Sequence, residues 1–163
     1  MNYILIGMPT SGKSTVGVLV AKALGKGFVD TDLVIQNRYH KKLSLLIEEE
    51  GIEGFKRIEN EVNCSIDVHN SVIAPGGSAV YGKEAMEHFR TIGKVVYLRL
   101  SFETVEKRLK NAKARGVVMP EGYTLRDLYD ERVPLYERYA HLVVDCDHET
   151  LDETVDAVLA LLS

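Results

Sequence analysis

Residues 7–15 read GMPTSGKST, which puts Gly7, Gly12, Lys13 and Ser14 at the four fixed places of G-x-x-x-x-G-K-[ST]. Residue types at that spacing do one kind of chemistry. The glycines let backbone N–H groups turn inward around a β-phosphate at the positive end of a helix. Lys13 adds a point charge for the β- and γ-phosphates, and Ser14 offers a hydroxyl to a Mg²⁺ ion that bridges the same two groups. A nucleotide is therefore expected, and the pattern leaves open what receives its phosphate.

Two more stretches carry groups able to meet an acceptor. In DTD, Asp30 and Asp32 are suited to hold a metal-bound water and to orient a hydroxyl for attack. Capping of the next helix by Asp32 accounts for that residue equally well. In PGGS, Gly76 and Gly77 allow a ligand to approach the backbone closely, and a plain turn accounts for the tetrapeptide equally well.

The elements that must position these groups follow from hydrophobic periodicity. NYILI, GFVD, SVIA, KVVYLRL and HLVVD read as five short, nearly all-apolar strands. Between them, helical patterns cover residues 13–24, closed by Gly25, and then 32–41, 44–50, 53–69, 83–91 and 102–112. A helix over 124–140 with a break or kink near Pro134 and a last amphipathic helix over 151–162 complete the series. Strands that are apolar throughout and separated by helices form a parallel sheet covered on both faces. The fold class is α/β: one domain over 1–163, three-layered, with a five-stranded parallel sheet. KARGVVMPEGY has two glycines, a proline and no period, so residues 112–125 are expected to form a mobile lid.

Composition narrows the partners. A 163-residue chain is about one domain, and 45% hydrophobic with 27% charged residues argues against disorder and against a membrane span. Net charge is −4 with the basic residues scattered, which disfavours a nucleic-acid face. Cys64 and Cys146 lie far apart without metal-ligand spacing, as free thiols in a reducing cytoplasm would. No export signal is read, and no long heptad run calls for a partner chain.

Taken in order, the motifs resemble those of the shikimate kinase family over nearly the whole length. GMPTSGKST is followed by FVDTD, and GIEGFKRIENE stands where that family has G-E-x-x-F-R-x-x-E. VIAPGGSAV then stands at its triple glycine, an arginine-bearing lid follows, and ERVPLYERYA matches its R-x-P-x-Y-x-x-x-A. The resemblance implies a P-loop small-molecule kinase using ATP and Mg²⁺, with shikimate as acceptor, acting as a cytoplasmic monomer. It implies phosphate contacts from Thr10, Ser11, Gly12, Lys13, Ser14 and Thr15, with Ser14 on the metal and Asp30 behind it. Asp32 matches the aspartate that takes the acceptor's proton, and Gly77 and Arg132 match groups that hold the acceptor's carboxylate. Arg108 matches the residue that packs on adenine, and Arg115 the arginine that closes over the phosphates.

Departures from the family pattern cluster on the acceptor side. Lys56 stands for the motif arginine, Ile52 for a glutamate and Ser78 for the third glycine, while the lid's R-P-L-L is RGVV. Helical spacing that buries Phe55, Ile58, Val62 and Ile66 leaves Lys56, Glu59, Asn60 and Asn63 on one polar flank, so Lys56 is expected to point at the acceptor. An ammonium lacks the planar fork that grips a carboxylate. Two readings therefore stand: a kinase for shikimate or another hydroxy acid, and a nucleotide-binding protein without an acceptor site. Asp32, Arg115 and Arg132 favour the kinase.

Overall fold

A computed structural model describes residues 1–111, 118–148 and 150–162 of the chain. Five strands, β1 (Asn2–Ile6), β2 (Gly27–Asp30), β3 (Ser71–Ala74), β4 (Gly93–Arg99) and β5 (Leu142–Asp145), form one sheet in the order β2-β3-β1-β4-β5. Every pairing is parallel, with Ile4 opposite Ile73 on one side and Val95 on the other. The three central strands are buried on both faces: Ile4, Leu5, Ile6, Val72, Ile73, Val95 and Val96 have essentially no exposed surface. That is why their sequences are continuous apolar runs rather than alternating ones.

Seven helices cover the sheet: α1 (Lys13–Leu24), α2 (Thr31–Tyr39), α3 (Leu43–Cys64), α4 (Lys83–Ile92), α5 (Phe102–Asn111), α6 (Leu125–Tyr139) and α7 (Leu151–Leu162). The two helices expected over 44–50 and 53–69 are the halves of α3, which meet at Gly51 in a conformation (φ 74°, ψ 172°) that only glycine adopts easily. The second half stops at Cys64, where the Ser65 hydroxyl and amide both donate to the Val62 carbonyl and close the last turn. PGGS does not remain a loop; it leads into a 3₁₀ turn over Gly77–Tyr81.

No break occurs at Pro134. Helix α6 runs through it, because a capping box between Thr124 and Asp127 fixes its start and Leu128, Arg132 and Tyr136 bury one continuous stripe on both sides of the proline. A second, smaller apolar cluster of Ile35, Leu46, Phe55, Val62 and Val118 lies beside the main core, between α2, α3 and the residues just before α6.

The opposite, amino-terminal end of the sheet is locked by one side chain. Asn2 is buried, donates its amide to the carbonyls of Val68 (2.7 Å) and Ile92 (3.1 Å), and accepts from the Ser71 amide (2.9 Å). It thus ties the approaches to β3 and β4 to β1. Asn2→Ala should lower unfolding free energy by about 2–3 kcal/mol, since one buried and two half-buried partners lose their bonds. Urea titration should show that loss with an unchanged m-value, and kinetic constants at 25 °C should not move, because the chemistry lies at the other end of the strands.

Candidate active site

Ligands in open α/β sheets sit beyond the carboxyl ends of the strands, where the strand order changes direction. Here those ends carry the loop after β1, the DTD segment after β2 and the PGGS segment after β3. The three converge on a cavity of about 450 Å³ whose wall includes Lys13, Ser14, Asp32, Glu59, Gly77 and Arg132.

The loop from Gly7 to Gly12 is held open by backbone geometry. Thr10 and Gly12 have positive φ (73° and 82°), and Gly12 starts α1 without a side-chain cap, which leaves the first amide groups of the helix facing the cavity. Lys13 folds back across the loop, donating to the carbonyls of Gly7 (2.9 Å) and Met8 (3.0 Å) and to the Ser11 hydroxyl (3.4 Å). Burial pushes its ammonium down to about 8, against the pull of Asp32 in the other direction. Thr10, Gly12, Ser14 and Thr15 share the cavity wall, while Ser11 is buried beneath it.

Asp30, not Asp32, caps α2: its Oδ1 accepts from the amides of Asp32 (3.0 Å) and Leu33 (3.4 Å). The cap expectation for Asp32 is thereby corrected. The helix begins at Thr31, one residue earlier than its sequence pattern indicates, because an aspartate at position 30 already satisfies its first free amides. Asp32 is left free to face the cavity, and burial together with the neighbouring Asp30 raises its carboxyl to about 6, with Lys13 opposing. The second oxygen of Asp30 accepts from the Ser14 hydroxyl at 3.3 Å. A hydroxyl and a carboxylate side by side at the phosphate loop are hard oxygen donors. They suit Mg²⁺, which keeps several waters and takes its remaining ligands from phosphates.

Glu59 is a site residue that sequence reasoning missed. It belongs to the buried face of α3, not the polar flank, and so does Asn63; both are at most 2% exposed. The signal was present, since Glu59 is four residues after Phe55 and three before Val62, on the same stripe. Ser78 donates to Glu59 Oε1 at 2.5 Å, while Oε2 has no partner among the described residues. Burial drives the Glu59 carboxyl up to about 7, and the Ser78 hydrogen bond limits the rise. Gly76 lies between the two carboxylates: a Cβ there would stand 2.9 Å from Glu59 Oε2 and 3.0 Å from Asp32 Oδ1. A Cβ on Gly77 would stand 3.0 Å from Arg132 Nη1. Both glycines are thus required by close approach.

Arg132 is 1% exposed and donates Nη2 to the Val118 carbonyl (2.7 Å) and Nε to Tyr81 Oη (3.3 Å). Lys56 does not reach the cavity wall. Its ammonium lies 4.0 Å from the centre of the Tyr81 ring and 3.6 Å from Glu53. Lys42, passed over in the sequence, does line the cavity. Arg108 bridges the Thr10 carbonyl (3.0 Å) and the His148 carbonyl (3.3 Å), tying the phosphate loop to the connection after β5. Arg115 and the first part of the expected lid, 112–117, lie outside the described residues.

Fold and site together define a phosphate-loop kinase acting on a small hydroxylated molecule. A family model described as Shikimate kinase matches residues 9–163. The chain is 36% identical over 153 residues to a shikimate kinase from Thiobacillus denitrificans, covering 92% of this chain and 84% of that protein. It is 34% identical over 167 residues to one from Symbiobacterium thermophilum, covering 99% and 96%. A shikimate kinase from Acinetobacter baumannii, solved in complex with shikimate, superposes with a TM-score of 0.86 at 31% identity, over 99% of this chain and 92% of that one. A gluconokinase from Sinorhizobium meliloti, at 18% identity and a TM-score of 0.57, shares the fold alone. The chain belongs to the shikimate kinase family.

Two substitutions separate the carboxylates by role. Asp32→Asn should reduce kcat at least about 10²-fold, as expected for loss of a general base, with the melting temperature nearly unchanged. Asp30→Ala should lower stability by about 1 kcal/mol through the lost cap. Steady-state rates and thermal melts on the same preparations check both.

Glu59 has a pH signature of its own. Because its folded-state value (about 7) lies above its ordinary one of 4.5, the folded protein holds more protons than the unfolded chain between those values. Stability therefore falls as pH rises through that window. Glu59→Gln removes the effect and keeps an oxygen for Ser78. The unfolding free energy of Glu59→Gln relative to wild type should rise between about pH 4.5 and pH 7 and level off above it, as measured by urea titration.

Proposed function

We propose that the chain transfers the γ-phosphoryl group of ATP to the 3-hydroxyl of shikimate, giving shikimate 3-phosphate and ADP, as a step of aromatic amino-acid biosynthesis. The observation that carries this reading is that Lys13, Asp32 and Arg132, a phosphate-binding cation, a proton acceptor and a buried anion anchor, face one cavity. The amides at the start of α1 and Lys13 would hold the β- and γ-phosphates. Asp32 would accept the proton of the attacking hydroxyl as its oxygen bonds to phosphorus and the bond from phosphorus to the β–γ bridging oxygen breaks. Ser14 and Asp30 would hold a Mg²⁺ ion, which would supply charge neutralisation at the phosphates. Arg132 and the Gly77 backbone would take the acceptor's carboxylate, with Arg108 on the adenine side and Arg115 over the phosphates. Residues 112–125 would serve as the lid of a single unit spanning 1–163. We place this activity in the cytoplasm, in a monomer; among the described residues no helix is long and apolar enough to cross a membrane.

One observation favours a second reading, a changed acceptor: Lys56 is engaged with Tyr81 and Glu53 instead of the cavity. Release of ADP should be measured across shikimate, quinate, gluconate and nucleoside monophosphates. Shikimate should give the highest kcat/KM; a higher value for another acceptor overturns the shikimate assignment and leaves the kinase. Lys13→Met should reduce turnover of every acceptor by about 10³-fold, the scale of a lost transition-state contact. Its melting temperature should fall by a few degrees while the fold persists, because the Gly7 and Met8 carbonyls lose their donor.

A further inference from the structure

Tyr81 joins three side chains, Glu131, Arg132 and Lys56, that the reaction as described does not use together. Its hydroxyl donates to Glu131 Oε1 at 2.6 Å and accepts from Arg132 Nε at 3.3 Å. Its ring carries the Lys56 ammonium at 4.0 Å and lies 5.4 Å from the Arg132 guanidinium. The other oxygen of Glu131 accepts from the Tyr123 hydroxyl at 2.7 Å. Both tyrosine bonds hold the Glu131 carboxyl below its ordinary range, so it remains an acceptor with no proton to give.

That fixes the direction of the whole chain of bonds. A phenol has one proton and accepts with its lone pairs. With its proton committed to Glu131, Tyr81 can only accept from Arg132. The Nε edge of the guanidinium is thus turned toward Tyr81 and one Nη2 hydrogen toward Val118, which leaves Nη1 beside Gly77 and the cavity. Consecutive residues of α6 also hold both ends of one short segment: Arg132 binds the Val118 carbonyl and Glu131 binds Tyr123.

We propose that Glu131 is a positioning residue of the acceptor site: acting through Tyr81, it sets the orientation of the Arg132 guanidinium so that the Nη1 edge is presented to the acceptor's carboxylate. This rests on the reading of Arg132 as the carboxylate anchor. Lys56, 4.0 Å from the centre of the same ring, steadies Tyr81. Tyr123 is partly exposed and contributes less than Tyr81.

The test uses Tyr81→Phe, Glu131→Gln, their double variant and Tyr123→Phe in the full chain. Glu131→Gln and Tyr81→Phe should each raise the KM for shikimate about fivefold, the scale of one hydrogen bond, while the KM for ATP stays within about twofold. The double variant should be no worse than Tyr81→Phe alone, and Tyr123→Phe should have a smaller effect than either. Additive penalties, equal changes in both KM values, or an unchanged KM for shikimate would each overturn the proposal. A measurement without acceptor runs in parallel: the Nε–H resonance of Arg132 in nitrogen-15 spectra should move in Glu131→Gln and exchange rapidly in Tyr81→Phe. No change there also sinks the idea. Failure of the shikimate reading shows separately, in wild-type turnover, and the Arg132 resonance then decides the role of Glu131 by itself.

Discussion

Four ionisable side chains, Lys13, Asp32, Glu59 and Arg132, line one cavity while being largely buried themselves, and most of the structure around them serves to make that tolerable. A buried charge without a partner is costly, so each is paired or shifted toward neutrality. Lys13 uses the carbonyls of its own loop, Arg132 uses Val118 and Tyr81, and Glu59 uses Ser78. Asp32 and Glu59 are both raised, chiefly by burial, toward the pH at which the protein would work. The burial that makes these charges expensive also strengthens their action on a transferring phosphoryl group.

The scaffold supplies this arrangement by a division of labour. Parallel strands end together, so three loops from distant sequence positions meet at one edge. Asp30 caps α2 and thereby frees Asp32, while Gly76 and Gly77 let two carboxylates and a guanidinium come within contact of the backbone. At the other end of the sheet, Asn2 fixes the strands against each other with no role in the chemistry. Stability and reactivity are thus lodged at opposite ends of the same strands.

Strand number, helix order and the phosphate loop were legible because each rests on local pattern: apolar runs, 3.6-residue periodicity and a fixed motif. The misreadings share a cause. Glu59 falls to the polar flank when the buried stripe is drawn through Phe55, Ile58, Val62 and Ile66, although its spacing from Phe55 and Val62 puts it on the inner stripe. Pro134 was expected to break or kink α6, yet the buried stripe of Leu128, Arg132 and Tyr136 holds the helix across it. In both places tertiary packing settled where the buried stripe runs.

By itself, the sequence determined the α/β architecture and the phosphate-loop motif, since these depend on neighbours within a few residues or on a motif whose spacing is itself the information, while the family resemblance nominated Asp32 and Arg132. Only the tertiary structure decided which aspartate caps the helix, that Lys56 rests on Tyr81 instead of in the cavity, and that Ser78, Glu59, Tyr81 and Glu131 complete the surroundings of the site. Apart from the cap, which is local, those outcomes turn on side chains separated by 19 to 51 positions along the chain. Their pairing depends on which loops the sheet brings together and on the cost of leaving a buried charge unpaired, and neither is written in local periodicity.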